Sequence, residues 1–197
     1  MDSGAEVAES IGCGAIELNA AFDKDTMTLD LRIASDADSA DVADLVNRAY
    51  RPDENSGGWT HESNMLAGPR ISAQQVGALF GEKSAVLLLC DGARLVACVY
   101  VQGSDASAYI GMLATDPARQ VSGIGKQMLD HAEHYARQHF GAARFDISVL
   151  SGRPELLAFY ERRGYVLTGE VEDFPVAAGV GEPKVDNIQI LSLVKQA

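Results

Sequence analysis

Apolar and polar positions alternate or repeat in short stretches over the first half of the chain. Residues 28–34 alternate and predict a first strand, and the Ser and Asp side chains at 35–39 offer helix caps. The helix that follows is expected to end near residue 50. Residues 72–80 predict a second, shorter helix. One face of the first helix carries Val42, Leu45, Val46 and Ala49.

Two longer apolar runs predict a hairpin. Residues 85–90 and 94–101 are almost wholly apolar, and Asp91 and Gly92 between them are typical of a tight turn. A further turn leads to an apolar strand at 109–115. These three strands are therefore expected to form an antiparallel meander.

The strand at 109–115 leads into a glycine-containing turn at 120–125 and then a helix from residue 126. The strand should end at Asp116 and Pro117, because proline cannot donate a hydrogen bond to a sheet. The helix repeat predicts an apolar face of Gly125, Met128, Leu129, Ala132, Tyr135, Ala136 and Phe140. Its polar face would then hold Lys126, Gln127, Asp130, Glu133, His134, Arg137 and Gln138.

The last third of the chain predicts a second half of the sheet. Residues 143–150 form a strand that follows a helix, so it should run parallel to the strand at 109–115. Pro154 suits the first turn of another helix. Residues 165–171 and 187–194 are predicted to be the closing strands.

Length and composition favour one globular domain. The chain has 197 residues, of which 47% are hydrophobic and 22% charged. We predict an amino-terminal extension at 1–27 and a single domain at 28–197. No run resembles a membrane span or a secretory signal, and the three cysteines lack metal-ligand spacing, which favours a cytoplasmic protein without a metal.

The formal net charge of −12 argues against nucleic acid as a partner, because phosphates would be repelled. The same charge would favour a cationic acceptor such as an amine. A charge that serves only solubility is an equally good interpretation.

The turn at 120–125 has the features of an anion site. The first N–H groups of a helix have no partner within it, and Gly123 and Gly125 leave them accessible. Arg119 and Lys126 add positive charge. The sequence lacks the Ser or Thr that a Walker loop needs after Lys126, and it also lacks the first glycine of a dinucleotide fingerprint.

Gln120-Val-Ser-Gly-Ile-Gly125 matches the pattern Q/R-x-x-G-x-G/A. An apolar strand precedes it, and Leu157-Ala-Phe-Tyr-Glu-Arg-Arg-Gly-Tyr165 follows downstream. Together these stretches resemble the GNAT superfamily of N-acetyltransferases. The resemblance implies an α/β (α+β, GNAT-like) fold: a central mixed, mostly antiparallel sheet of six to seven strands, splayed between two parallel strands and flanked by about four helices.

The resemblance also implies a donor site for acetyl-CoA. The pantetheine arm would pair with the end of the central strand, and a backbone N–H near Leu113 would contact the acetyl oxygen. The diphosphate would lie on the turn. The implied donor-binding residues are Met112, Leu113, Ala114, Thr115, Gln120, Val121, Ser122, Gly123, Ile124, Gly125 and Lys126.

The resemblance assigns Tyr160 as the general acid that protonates the departing sulfur, while the alternative interpretation is a packing tyrosine. Many relatives carry asparagine seven residues earlier, where this chain has Arg153. No general base stands out. The candidates for the base are the carboxylates and His61 of the segment 51–69, Glu170, Glu172 and a chain of water molecules.

The irregular segment 51–69 is where such folds form part of the acceptor pocket. Its candidate substrate-binding residues are Trp59, His61 and Glu62, although Trp59 could equally pin the loop. The leading hypothesis is acetyl transfer from acetyl-CoA to a primary amine of a small molecule or peptide. The alternative is a non-catalytic acyl-CoA-binding or sensing module. A homodimer through the closing strands is a further hypothesis.

Overall fold

The computed structural model describes residues 29–52 and 61–197. The predicted extension at 1–27 and Trp59 lie outside these residues. Within them the chain forms nine strands and four α-helices. The strands are β1 (Leu29–Ile33), β2 (Leu66–Ala67), β3 (Ser84–Asp91), β4 (Arg94–Ser104), β5 (Ser107–Thr115), β6 (Arg144–Leu150), β7 (Val166–Asp173), β8 (Glu182–Pro183) and β9 (Gln189–Gln196). The helices are α1 (Ser39–Tyr50), α2 (Ala73–Gly77), α3 (Ile124–Phe140) and α4 (Pro154–Glu161).

Seven strands form one sheet in the order β1-β3-β4-β5-β6-β9-β7. Every neighbouring pair is antiparallel except β5 and β6, which run parallel. The mixed, mostly antiparallel sheet with four helices is therefore confirmed. The small β2–β8 pair was not predicted.

Helices cover both faces of the sheet, which explains why β3 and β4 are apolar without alternation. Val86 and Leu88 pack with α1 and α2 on one face. Leu87 and Leu89 point to the opposite face and pack with α3. Because both faces are covered, alternate side chains of one strand enter two different cores.

The parallel strands β5 and β6 pair at only three positions and then separate. Their register begins at Ser107 opposite Arg144 and ends at Tyr109 opposite Asp146. Beyond that point β5 stays paired with β4, and β6 stays paired with β9. The predicted splay between the parallel strands is confirmed.

A β-bulge marks the open part of β5. Cys98 faces Ala114 and Tyr100 faces Gly111, so Met112 and Leu113 both lie opposite Val99. Met112 has φ +50°, in the left-handed region that residues with a side chain rarely adopt. The bulge turns the backbone of β5 at the place where it has left β6.

Two details of the strand–turn–helix unit differ from the sequence prediction. The turn is a 3₁₀-helix at Pro117–Ser122, and α3 begins at Ile124 rather than at residue 126. Glu133 is buried, although the helix repeat places it on the polar face. It accepts hydrogen bonds from the Tyr165 hydroxyl (3.0 Å) and the Lys195 ammonium (2.7 Å). Tyr165 immediately precedes β7 and Lys195 belongs to β9, so segments distant in sequence satisfy the buried carboxylate.

Candidate active site

A cavity of about 350 Å³ opens beside the end of β5 and the start of α3. The side chains of Thr115 of β5 and Phe159 of α4 both lie close to Gly125, the second residue of α3. The predicted donor and catalytic residues that line this first cavity are Leu113, Thr115, Gln120, Gly123, Gly125, Lys126 and Tyr160.

The start of α3 exposes backbone donors towards the first cavity. Gly123 is the N-cap, and its φ of +82° is the left-handed conformation that glycine adopts at little cost. No side chain caps this end of the helix in the part of the chain that the structure describes. The amide of Gln127 bonds to the Gly123 carbonyl, which leaves the N–H groups of Ile124, Gly125 and Lys126 without a helical partner. This end of α3 can therefore bind an anion.

Asp116 fixes the segment that leads to α3. Its carboxylate accepts hydrogen bonds from the Ala118 amide (3.0 Å) and the Arg94 guanidinium (2.6 Å). Burial opposes ionisation of Asp116, but these two donors outweigh it and hold the pKa of Asp116 below its usual value. The 3₁₀-helix is thus tied to the sheet before the chain reaches Gly123.

Lys126 lines the first cavity, whereas Arg119, the other predicted cation, does not. Lys126 pairs with Asp130 at 2.6 Å and Arg119 with Asp91 at 3.0 Å, so both predicted cations also have an acidic neighbour. Arg162 and Arg163 line the cavity as well, and sequence reasoning missed them. The two adjacent arginines of the downstream motif were the available signal.

Arg163 is held against the cavity wall. Its guanidinium lies 3.5 Å from the centre of the Phe159 ring. One of its terminal nitrogens donates a hydrogen bond to the Phe159 carbonyl, while its buried Nε has no partner among the described residues. Burial lowers the pKa of Arg163, and the adjacent Arg162 adds to that effect. A phosphate in this cavity would meet a positioned positive charge.

Five predicted donor residues are not among the described residues that line the first cavity. Ala114 and Ile124 are buried in the cores, so only their backbone could meet a ligand. Met112 lines a second cavity instead of the first. Val121 and Ser122 belong to the 3₁₀-helix, and their side chains lie outside the described part of the structure.

The first and second cavities share three lining residues, Tyr50, Leu156 and Tyr160. The Tyr50 hydroxyl donates a hydrogen bond to the Leu113 carbonyl at 3.0 Å, at the bulge of β5. No described residue accepts a hydrogen bond from the Tyr160 hydroxyl. Burial raises the pKa of Tyr160, an effect that Arg153 and Arg163 partly oppose. The Tyr160 phenol therefore keeps its proton at neutral pH.

The second cavity has a volume of about 270 Å³ and lies between the separated strands β5 and β6. Polar and apolar groups contribute almost equally to its wall. Its charged lining residues are Glu62, Arg70 and Glu172. Of the candidate bases on β7, only Glu172 lines this cavity, and Glu170 does not. Tyr50 and Arg70 were not among the predicted site residues, because no sequence pattern marked either one.

Glu62 belongs to a buried cluster of charges at one end of the second cavity. It pairs with Arg51, and its other oxygen lies 3.7 Å from Arg153. The Nε atom of Arg153 in turn donates a hydrogen bond to Glu155. Both oxygens of Glu62 thus already face guanidinium groups. Neither Arg153 nor His61 lines the two cavities, so His61 is not brought to the site with Glu62.

Residues 29–52 and 61–197 contain neither a metal-binding cluster nor a membrane-spanning helix. No group of three or more His, Cys, Asp or Glu residues there is arranged to hold a metal ion. No helix in these ranges is both long and apolar enough to cross a bilayer.

Comparison with known families gives a direct match. The profile of the Acetyltransferase (GNAT) family matches residues 41–165, which is more than half of the chain. The chain belongs to this family. A GNAT protein uses acetyl-CoA as its acyl donor, and the chain is accordingly an acetyltransferase. A comparison with curated proteins found no match.

Solved structures show the same GNAT fold at low sequence identity. The ribosomal-protein-S18-alanine N-acetyltransferase from Escherichia coli has 16% identity and a TM-score of 0.62, over 85% of this chain and 93% of that one. A GNAT family acetyltransferase from Elizabethkingia anophelis with acetyl-CoA bound has 15% identity and a TM-score of 0.63, over 88% and 100%. The IAA acetyltransferase from Bacillus cereus has 13% identity and a TM-score of 0.61, over 86% and 100%.

Proposed function

We propose that this GNAT protein transfers the acetyl group of acetyl-CoA to a primary amine by direct attack on the thioester, with Tyr160 as general acid. The observation that supports this most is the position of Tyr160 in the walls of both cavities. A donor in the first cavity and an acceptor in the second would meet beside its hydroxyl. The acceptors named for the structural relatives are substrates of those proteins, and no acceptor of this chain is inferred from them.

The donor would lie with its diphosphate on the N–H groups at the start of α3 and its thioester beside Leu113. Three features support this position: the left-handed Gly123, the cations at the cavity rim and the unpaired stretch of β5. The Leu113 N–H would stabilise the negative charge that develops on the thioester oxygen. The hydrogen bond from Tyr50 to the Leu113 carbonyl keeps this part of the bulge in place.

The reaction forms one bond and breaks one. The amine nitrogen attacks the thioester carbon, and the C–N bond forms as the C–S bond breaks. The sulfur leaves as a thiolate and takes the proton of the Tyr160 hydroxyl, and the resulting phenolate regains a proton from solvent. The nitrogen loses one proton to a base.

Glu172 is the base that we propose for this step. It lines the second cavity, and no hydrogen bond or ion pair joins its carboxylate to another described residue. Glu62 lines the same cavity, but its two oxygens face Arg51 and Arg153. A carboxylate with free lone pairs is the better proton acceptor, either directly or through one water.

Thiol release with a panel of amines tests the proposal. We expect acetyl-CoA-dependent thiol release with at least one primary amine, and the mass of the acetylated product should identify the acceptor. Firm binding of acetyl-CoA without turnover on any amine would contradict the proposal and favour a non-catalytic binding module.

We also propose a cytoplasmic location and a homodimer. Two free, buried thiols, Cys90 and Cys98, fit a reducing compartment. The edge strand β7 exposes Val166, Leu167 and Val171, which a second copy could cover. Cell fractionation tests the location, and light scattering after size exclusion tests the dimer. A membrane-bound protein or a monomer, respectively, would contradict them.

A further inference from the structure

We propose that the acceptor is a free α-amino acid with an apolar side chain, and that Arg70 selects it by binding its carboxylate. This inference rests on the function proposed above and names the substrate class of the same site. It makes Arg70 a specificity-determining residue.

Arg70 is a cation of the second cavity without an acidic partner. It lines that cavity, and no carboxylate of the described residues pairs with it. The other two guanidinium groups nearby, those of Arg51 and Arg153, already contact Glu62 and Glu155. The positive charge that remains uncompensated within the described residues at this end of the cavity is therefore that of Arg70. An anionic group is the ligand that it fits.

Arg70 is also held in position. Its backbone N–H donates to the Asn47 side chain at 2.7 Å, and its guanidinium lies 5.7 Å from the centre of the Tyr50 ring. The contact with Tyr50 restricts the guanidinium, which reduces the conformational entropy lost when it binds a carboxylate.

Tyr50 connects Arg70 with the proposed reaction centre, and this proximity favours an α-amino acid. The Tyr50 ring that lies next to Arg70 carries the hydroxyl that bonds to the Leu113 carbonyl, where the thioester would lie. A carboxylate on Arg70 would therefore be close to the attacking nitrogen. Only one carbon separates the two groups in an α-amino acid. A peptide amino terminus has an uncharged amide at the same place and would leave Arg70 unpaired.

One group of residues in the second cavity could pack against an apolar side chain of the acceptor. Leu66, Val149, Leu150, Phe174 and Ile190 form this group. A volume of about 270 Å³ accommodates a compact molecule and is at the lower end of the range for ligand pockets. Glu172, the base proposed above, lines the same cavity and would accept the proton of the attacking amino group.

Matched acceptors test the inference. Each apolar L-amino acid is compared with its amide and its decarboxylated amine, for example leucine with leucinamide and isoamylamine. We expect kcat/KM to be about 10- to 100-fold higher for the free acid, the usual worth of a charge-assisted hydrogen bond. In Arg70→Gln the ratio of kcat/KM for the free acid to kcat/KM for the decarboxylated amine should fall to about one. Arg144→Gln is the control, because Arg144 is exposed at the start of β6 and lines neither cavity.

Three outcomes would overturn the inference. Equal or better use of the amides and amines by the wild type would show that no carboxylate is recognised, while acetyl transfer itself would stand. Loss of turnover on acids and amines alike in Arg70→Gln would show that Arg70 does not select the acid. Absence of turnover on every member of the panel would overturn the proposed function together with this inference.

Discussion

Gly125→Ala separates the stability of the fold from the binding of the donor. Gly125 is the second residue of α3, and its φ lies outside the left-handed region. A methyl group there would lie 3.8 Å from the Thr115 hydroxyl and 3.9 Å from the Phe159 ring, which are ordinary contacts. Alanine is the better helix former, so the substitution should stabilise the fold by about 0.5–1 kcal/mol. The melting temperature should then rise by about 1–4 °C.

The same methyl group should weaken acetyl-CoA binding. Thr115, Phe159 and Gly125 all line the first cavity, so the new carbon enters the space in front of the helix N–H groups. A tightly held diphosphate would have to shift to make room for the methyl group. This costs about 1–3 kcal/mol of binding free energy, as in an overpacked core. The dissociation constant should therefore rise by about 5- to 150-fold.

Calorimetric titration with acetyl-CoA and thermal unfolding measure the two effects. Gly77→Ala is the matched control: it ends α2, its new methyl group would lie 3.7 Å from the Ser39 hydroxyl, and it lines neither cavity. It should leave donor affinity unchanged. Wild-type affinity in Gly125→Ala would refute the proposal that the start of α3 holds the diphosphate. A lower melting temperature would show instead that the substitution disturbs the fold.

Three further substitutions test the proton donor and two buried carboxylates. Tyr160→Phe should lower kcat by about 10²–10⁴-fold and leave the affinity for acetyl-CoA unchanged. The control Tyr135→Phe should change neither kcat nor that affinity. Equal loss of kcat and of affinity in Tyr160→Phe would indicate that Tyr160 only packs. Asp116→Asn should cost about 1–2 kcal/mol of unfolding free energy, measured with urea. Because folding lowers the pKa of Asp116, its contribution should be complete above about pH 4 and fall in more acidic solution, and the variant should lose less there. A parallel pH profile for the two proteins would contradict this assignment. Glu133→Gln should lower the free energy of unfolding by about 2–3 kcal/mol, because it leaves Tyr165 and Lys195 poorly paired. An unchanged urea midpoint would contradict this role of Glu133.

Local patterns predicted the elements that position the donor site. Pro117 marked the end of β5, and Gly123 and Gly125 marked the start of α3, because these residues act through their own backbone. The meander of β3, β4 and β5 followed from the hairpin, and the parallel pairing of β5 with β6 followed from the rule that a helix connects parallel strands. For the same reason the first cavity contains seven of the predicted donor and catalytic residues.

Contacts between distant segments were not predictable in the same way. Glu133 is buried because a tyrosine and a lysine more than 30 positions away supply its hydrogen bonds. Arg70 and Tyr50 belong to the site because the bulge of β5 and the end of α1 meet there. Glu62 was predicted to bind substrate, but three-dimensional packing also gave it two arginine neighbours. None of these relations has a fixed spacing in sequence.

The crystal structure of the protein with acetyl-CoA tests the central claim most directly. We predict that the diphosphate accepts hydrogen bonds from the N–H groups at the start of α3. The thioester should lie beside Leu113, with its sulfur next to the Tyr160 hydroxyl at the junction of the two cavities. A cofactor bound elsewhere, or one whose sulfur lies away from Tyr160, would contradict the account.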